Sequence, residues 1–179
     1  MNQKSVYNVI YTKNKRYNHN VDYKYVEVQN FLKGTKGAIL DAGCGEGWNL
    51  NRIISEGYDA FGIEISDVCC DAYLKDLPHK CADIVSYAKE NVKYEASICC
   101  DVLEHISIED INETLEALSS MATRFFLGIA NHSDIQFGHE LHLIQKNEIE
   151  WEEILKLHFK TVKFIKKIDE RFYIFHCEN

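Results

Sequence analysis

Residues 39–47 read ILDAGCGEG. Two apolar residues lead into Asp41, and glycines follow at alternate positions, Gly43, Gly45 and Gly47. Without a Cβ, Gly43 and Gly45 let a ligand lie against the backbone. A dinucleotide turn calls for G-x-G-x-x-G, and a P-loop calls for a closing Gly-Lys-Ser/Thr; this stretch has neither. Asp41 would repel a pyrophosphate and welcome a cation or an amine. Glu64 stands 23 positions after Asp41, where an acid accepts hydrogen bonds from ribose hydroxyls. Asp83 can accept an adenine amino group while Ile84 packs on the ring. Three acids at three successive strand ends fit one adenosyl ligand that carries a positive charge.

That description matches S-adenosylmethionine. Methyl transfer from a sulfonium is an in-line displacement, so a protein has mainly to align the nucleophile and, for a hydroxyl acceptor, remove a proton. The candidates are Asp101, Glu104 and His105, then Asn131, His132, Asp134, His139, Glu140 and His142. His105 leads, because an imidazole pKa near 6.5 suits proton abstraction. The competing reading is that Glu104 and His105 make local capping bonds. His142, between two leucines, is either a core residue or a second base.

These residues need strands to present them. GAIL (37–40), DAFGIEIS (59–66), CADI (81–84), YEASICCDVL (94–103) and RFFLGIAN (124–131) read as strands. YKYVEVQNFLK (23–33), WNLNRIISEG (48–57), DVCCDAYLKDL (67–77), SIEDINETLEALSSM (107–121) and QKNEIEWEEILKLHF (145–159) read as helices. Ser107 opens one of them. TVKFIKKI (161–168) and RFYIFHCE (171–178) read as a terminal hairpin. The expectation is a single α/β domain, a Rossmann-like, doubly wound seven-stranded sheet, mostly parallel, with a C-terminal antiparallel hairpin at one edge. Ligands of such sheets sit at the carboxyl ends of the strands.

The motifs together resemble class I S-adenosylmethionine-dependent methyltransferases. ILDAGCGEG is similar to their first motif, GIEIS to the ribose strand, CADI to the adenine strand, and CCDVLEHI (99–106) to the segment after the fourth strand in a branch with many small-molecule O-methyltransferases. The resemblance implies that Asp41, Gly43, Cys44 and Gly45 line the methionine end of the cofactor and that Glu64 and Ile65 hold the ribose. It implies Asp83 and Ile84 at the adenine, Asp101 beside the sulfonium, and His105, His142 and Asp101 at the chemistry. Trp48 packs either on the cofactor or in the core. Residues 1–34 match nothing in the resemblance and are expected to form a helical lid over the cofactor, with residues 35–179 as the Rossmann-like core. Where amino-methylating relatives carry N/D-P-P-Y/F, this chain has Cys100-Asp101-Val102-Leu103, which turns the expectation toward oxygen acceptors. Asp101, Glu104 and His105 with His139 or His142 also resemble the metal-ligand pattern of small-RNA ribose 2′-O-methyltransferases, a set suited to Mn or Mg. This chain has Asp101 where that pattern has Glu.

Composition narrows the partners. Of 179 residues, 46% are apolar and 27% charged, which suits one globular domain. The net charge of −8 opposes broad nucleic acid binding, and KNKRYNHN (13–20) reads as a solvated basic cluster. There is no run of about eighteen apolar residues to span a membrane. The polar first twenty residues lack a signal core. The seven cysteines include no C-x-x-C, and reduced, mostly buried thiols in a cytoplasmic protein are expected. The reading is a methyltransferase acting on a small molecule or sugar, converting S-adenosylmethionine to S-adenosylhomocysteine. A non-catalytic cofactor-binding regulator competes with it. A nucleotide-dependent oxidoreductase is disfavoured by Asp41 and the glycine spacing.

Overall fold

The computed structural model describes residues 3–14, 17 and 22–179; most of KNKRYNHN lies outside them. Along the chain come α1 (Gln3–Lys13), α2 (Asp22–Leu32), β1 (Ile39–Ala42), α3 (Trp48–Ser55), β2 (Ala60–Glu64), α4 (Asp67–Tyr73), β3 (His79–Cys81) and α5 (Ile84–Ala88). Then follow β4 (Tyr94–Cys100), a 3-10 turn (Leu103–His105), α6 (Ile111–Met121), β5 (Ala122–Ala130), β6 (Ile135–Gln136), β7 (His139–Glu140), α7 (Glu148–Leu155), β8 (Thr161–Ile168) and β9 (Phe172–Glu178).

Among the described residues seven strands form one sheet in the order β3-β2-β1-β4-β5-β9-β8. Strands β1 to β5 pair in parallel, and β9 runs antiparallel to both β5 and β8. The terminal hairpin does occupy one side of the sheet. The reversed strand, however, is not at the edge: β9 inserts beside β5, and β8 takes the edge.

Alternation along each strand divides the core in two. Phe125, Leu127 and Ile129 of β5 join Leu40, Tyr173, Phe175 and Trp151 on one face. Phe126, Ala130, Ile39 and Ile174 join Val28, Phe31, Leu50 and Ile53 on the other. Both faces are covered by helices, which is why these strands read as continuous apolar runs.

Several boundaries differ from expectation. CADI is not a strand: β3 ends at Cys81, and Asp83 caps α5 by accepting from Ser86. An aspartate that bonds its own backbone two or three residues on favours a cap over a ladder. Strand β4 stops at Cys100, because Asp101 takes a left-handed φ of 55°. Helix α6 starts at Ile111 rather than Ser107; Ser107 instead closes a turn onto the Asp110 amide. Helix α7 starts later than read, behind a capping box made by Asn147 and Glu150.

Candidate active site

The chain builds β1, β2 and β3 in one direction across the sheet and β4 and β5 in the other. Beyond this switch point lies a cavity of about 660 Å³, within the size range of small-molecule sites. Gly43 and Gly45 form part of its wall. Gly43 has a φ of +77°, and a Cβ there would stand 2.4 Å from Val102 Cγ2, so only glycine fits. The amides of the turn are already committed. Gly43 and Cys44 donate to the Ile63 carbonyl, both at 2.9 Å, and Gly47 donates to the Cys44 carbonyl at 2.9 Å. The Gly45 amide donates to Glu64 Oε2 at 3.1 Å. A phosphate cradle needs such amides free, so this turn suits a different ligand, in line with the expectation from Asp41.

Glu64 and Asp83 line the cavity with their neighbours Ile65 and Ile84. Glu64 is buried, and its Oε1 accepts from the Ser66 amide at 2.9 Å. Burial raises its carboxyl, while backbone bonds from Ser66, Gly45 and Ile65 oppose the rise. Asp83 accepts from the Ser86 amide at 2.8 Å and from its hydroxyl at 2.7 Å. Burial pushes its carboxyl up, but these bonds outweigh burial and leave it below the ordinary range.

Three expected cofactor residues lie elsewhere. Asp41 is 2% exposed, beneath the turn and off the cavity wall, and its Oδ2 has no partner. Burial raises its carboxyl to about 7; a backbone bond from Leu50 opposes the rise and the Glu64 charge adds to it. Cys44 also faces inward. Its Sγ would stand 2.7 Å from a Cβ at Gly62, so the thiol fills the space between turn and β2. Trp48 is 46% exposed, with Nε1 3.3 Å from Glu46 Oε2. The helical period turns it away from Leu50 and Ile53, the buried face of α3, so it packs neither on the cavity nor in the core.

The far half of the cavity holds the expected histidines. His105 and His142 are both buried, with ring centroids 4.6 Å apart. His105 Nδ1 lies 3.0 Å from the Leu141 carbonyl, and His142 Nδ1 lies 2.5 Å from the His132 carbonyl. A carbonyl only accepts, so each Nδ1 carries the proton and each Nε2 keeps its lone pair. Burial, helped by the opposing imidazole, lowers His105 to about 4, and burial lowers His142 as well, so both rings are neutral at pH 7. Glu104 is fully buried. Its Oε1 accepts from the Ala130 amide at 2.9 Å and its Oε2 has no partner. Burial, with the Asp101 charge, pushes its carboxyl up to about 8. Ligand atoms of Glu104, His105 and His142 lie within 4.8 Å of one another, the spacing of a metal site. His139 is exposed on β7 and off the cavity wall, so of the two later histidines considered, His142 is the one at the cavity. Glu140 holds the loop: it accepts from the Ser133 hydroxyl and from the amides of Asp134 and His142, both at 2.9 Å.

A third group was not legible in the sequence. Gln3, Tyr7 and Tyr11 of α1, with Tyr17 and Lys24, line the cavity. The Gln3 amide donates to the His105 carbonyl, Tyr7 meets the His105 ring edge-on at 5.7 Å, and Tyr17 donates to Asp134 at 3.1 Å. Asn8 accepts from the Ser66 hydroxyl at 2.7 Å, which ties α1 to the end of β2. Tyrosines at i and i+4 on one helical face were the available signal. Lys24 bonds both carboxylate oxygens of Asp101 at 2.8 Å.

The family described as "Methyltransferase domain" matches residues 17–161, and the chain belongs to it. That family is one of class I S-adenosylmethionine-dependent methyltransferase domains. The ubiquinone biosynthesis O-methyltransferase of Coxiella burnetii is 28% identical over 93 residues, which are 48% of this chain; the match covers only 39% of that relative's length. Magnesium protoporphyrin IX methyltransferase from Synechocystis PCC 6803, solved with bound SAH, superposes with a TM-score of 0.74 at 18% identity, covering 99% of this chain and 100% of that one. The methyltransferase domain of bacterial CtHen1-CN gives 0.69 at 17% identity, covering 87% and 97%. At these identities the structural likeness establishes the fold. Among the described residues no helix is long and apolar enough to cross a membrane.

Proposed function

We propose that the chain methylates a hydroxyl oxygen of a small, uncharged acceptor, an aromatic alcohol or a sugar. The observation that supports this best is the pair of neutral imidazoles, His105 and His142, with proton-free Nε2 atoms beside the strand ends. On this reading Glu64 and Ile65 hold the ribose of S-adenosylmethionine and Asp83 and Ile84 hold the adenine. Gly43 and Gly45 give room to its amino-acid end, with Asp101 beside the sulfonium. Asp41, with its unpaired buried oxygen, acts through the turn rather than by contact. The bound cofactor supplies a methyl group on an excellent leaving group. The acceptor oxygen is aligned between α1 and the histidines, and its proton passes to an Nε2 as the oxygen–carbon bond forms. Helices α1 and α2 serve as the lid, since Tyr7, Tyr11, Tyr17 and Lys24 close the cavity over the sheet.

Charge supports an uncharged acceptor. Glu64, Asp83, Asp101, Asp110, Glu113 and Asp134 line the cavity, with Lys24 as the lining Lys or Arg among the described residues. Phosphates of a nucleic acid would meet repulsion there. The cysteines are free, which fits a reducing cytoplasm. The test is a labelled-methyl assay over phenols, sugars, amines and short RNAs. Labelling of an uncharged hydroxyl supports the proposal; labelling confined to amines or RNA refutes it.

One observation favours a second reading, in which a divalent ion joins the same reaction. Glu104, His105 and His142 bring one carboxyl oxygen and two imidazole nitrogens within 4.8 Å of one another, a set that suits Mn once Glu104 is ionised. These residues would then hold the ion, and it would polarise the acceptor hydroxyl in place of an imidazole base. Such a site suits vicinal hydroxyls, including those of a ribose. Manganese titration followed by calorimetry separates the two readings, since a base pair needs no metal and loses nothing to a chelator.

A further inference from the structure

The hairpin of β6 and β7 turns one face to the cavity and the other to solvent. Its ladder pairs Ile135 with Glu140 and Gln136 with His139, which leaves Phe137 and Gly138 as a two-residue loop. The Leu141 amide donates to the Asp134 carbonyl at 2.8 Å and closes the base. Side chains alternate along a strand. Asp134 and Gln136 line the cavity. Ile135 and Phe137 face outward, 66% and 52% exposed. Phe137 is the unexpected residue. Its φ is +52° and that of Gly138 is +81°. Two positive φ values make the primed turn of tight hairpins, which favours Asn, Asp or Gly at its first position and Gly at its second. A bulky aromatic residue is strained there, and strain held at a side chain that stays largely in solvent points to a functional role.

The charge beside this tip is positive. Lys13, at the end of α1, holds its Nζ 5.1 Å from the centroid of the Phe137 ring. Val9, one turn earlier on the same helical face, is exposed as well. In sequence Lys13 opens the run Lys-Asn-Lys-Arg, three cations in four positions of a chain whose net charge is −8. The acids of the hairpin are spent within it: Asp134 accepts from Tyr17 and Gln136, and Glu140 accepts from Ser133 and from the amides of Asp134 and His142. Apolar side chains at an exposed tip, with cations next to them, match the boundary between anionic headgroups and acyl chains. We propose that this tip docks the chain on an anionic bilayer surface, with Phe137 and Ile135 entering the acyl boundary and Lys13 meeting lipid phosphates. A nucleic acid would draw on the same cations, but an exposed isoleucine offers nothing for bases to stack on. Because the other face of the hairpin walls the cavity, docking sets the mouth of the cavity against the bilayer. The inference stands apart from which acceptor is methylated and from which group takes its proton.

The test is flotation of the full chain with vesicles of phosphatidylcholine alone and of phosphatidylcholine carrying about one-third phosphatidylserine. Wild type should bind the anionic vesicles, and the neutral ones more weakly. Phe137→Asn should lower binding by roughly tenfold or more, the scale of one large apolar side chain leaving the bilayer. The same variant should keep or raise the thermal midpoint, because Asn suits the turn. Phe137→Trp should retain binding. Lys13→Glu should weaken binding to the anionic vesicles by about fivefold or more and leave the neutral ones little changed. Wild type that binds neither vesicle would overturn the proposal, and so would Phe137→Asn that binds as well as wild type. If wild type ignores vesicles but self-associates or retains RNA, and Phe137→Asn loses that, the tip belongs to a second copy or to nucleic acid and the proposal falls.

Discussion

The two halves of the cavity use backbone polar groups in opposite ways. On the side proposed for the adenosyl group, carboxylates are held by amides: Gly45 and Ser66 donate to Glu64, and Ser86 donates to Asp83. On the histidine side, imidazoles are held by carbonyls: Leu141 accepts from His105 and His132 accepts from His142. Amide donors leave fixed acids that can still accept from a sugar or a base. Carbonyl acceptors leave imidazoles whose outward nitrogens are free to take a proton or a metal ion. On the proposed reading, the same scaffold makes a binding surface on one side and a reactive one on the other. The difference teaches that tautomer and charge at this site follow from which end of a peptide group faces each side chain.

That division can be broken from either side, and the largest effect is expected on the histidine side. His142→Ala should lower turnover by roughly 10² to 10⁴, the range for a lost acid–base group, with cofactor affinity within about threefold of wild type in calorimetry. Equal loss of affinity would erase the distinction between the halves. On the adenosyl side, Asp83→Ala should weaken S-adenosylhomocysteine by about tenfold, one charge-assisted bond. It should also lower stability by about 1 kcal/mol through the lost cap on α5. Asp83→Asn should recover the stability more than the affinity, as read by denaturant unfolding beside calorimetry.

Asp41 sharpens the comparison through pH. Its folded pKa of about 7 exceeds the ordinary value of 3.8, so the unfolded chain releases this proton first as pH rises. Stability from this group is therefore present below about pH 4 and is lost as pH rises toward 7. The loss is at most of order 4 kcal/mol. Asp41→Asn should flatten that slope, and the difference in thermal midpoint between variant and wild type should grow from pH 5 to pH 8. A constant difference would mean that Asp41 does not titrate in this range. The smallest effect belongs to Trp48→Ala, which should leave cofactor affinity within about twofold, because the half-exposed side chain lies off the cavity wall.

Much of this was legible. The glycine turn, Glu64 and the paired histidines were readable because each sits at the end of an apolar strand run or within a dense local cluster. Asp83 was found with the wrong element around it: the short strand His79–Cys81 is polar and lies at the sheet edge, so it carries no apolar signal, and the aspartate that follows it prefers a cap. The hairpin of β6 and β7 escaped because two-residue strands have no period to detect; its turn shows itself only in the positive φ of Phe137 and Gly138. Trp48 is half-exposed and off the cavity wall, a placement set by its phase on α3, which aromatic size alone does not reveal. Lys24 could not be read at all, since its partner lies 77 positions away and nothing local marks the pair. Long-range contacts made by a lid are set by tertiary packing, which leaves no spacing in the sequence.

The most direct test of the account is one calorimetric comparison: S-adenosylhomocysteine titrated into wild type, Glu64→Ala and His142→Ala. The account predicts binding by wild type, a loss of roughly 100-fold in Glu64→Ala, where two charge-assisted bonds vanish along with the ribose contact, and near-wild-type binding in His142→Ala. Wild-type protein that fails to bind, or a Glu64→Ala variant that binds as well as wild type, would contradict the assignment of the cavity.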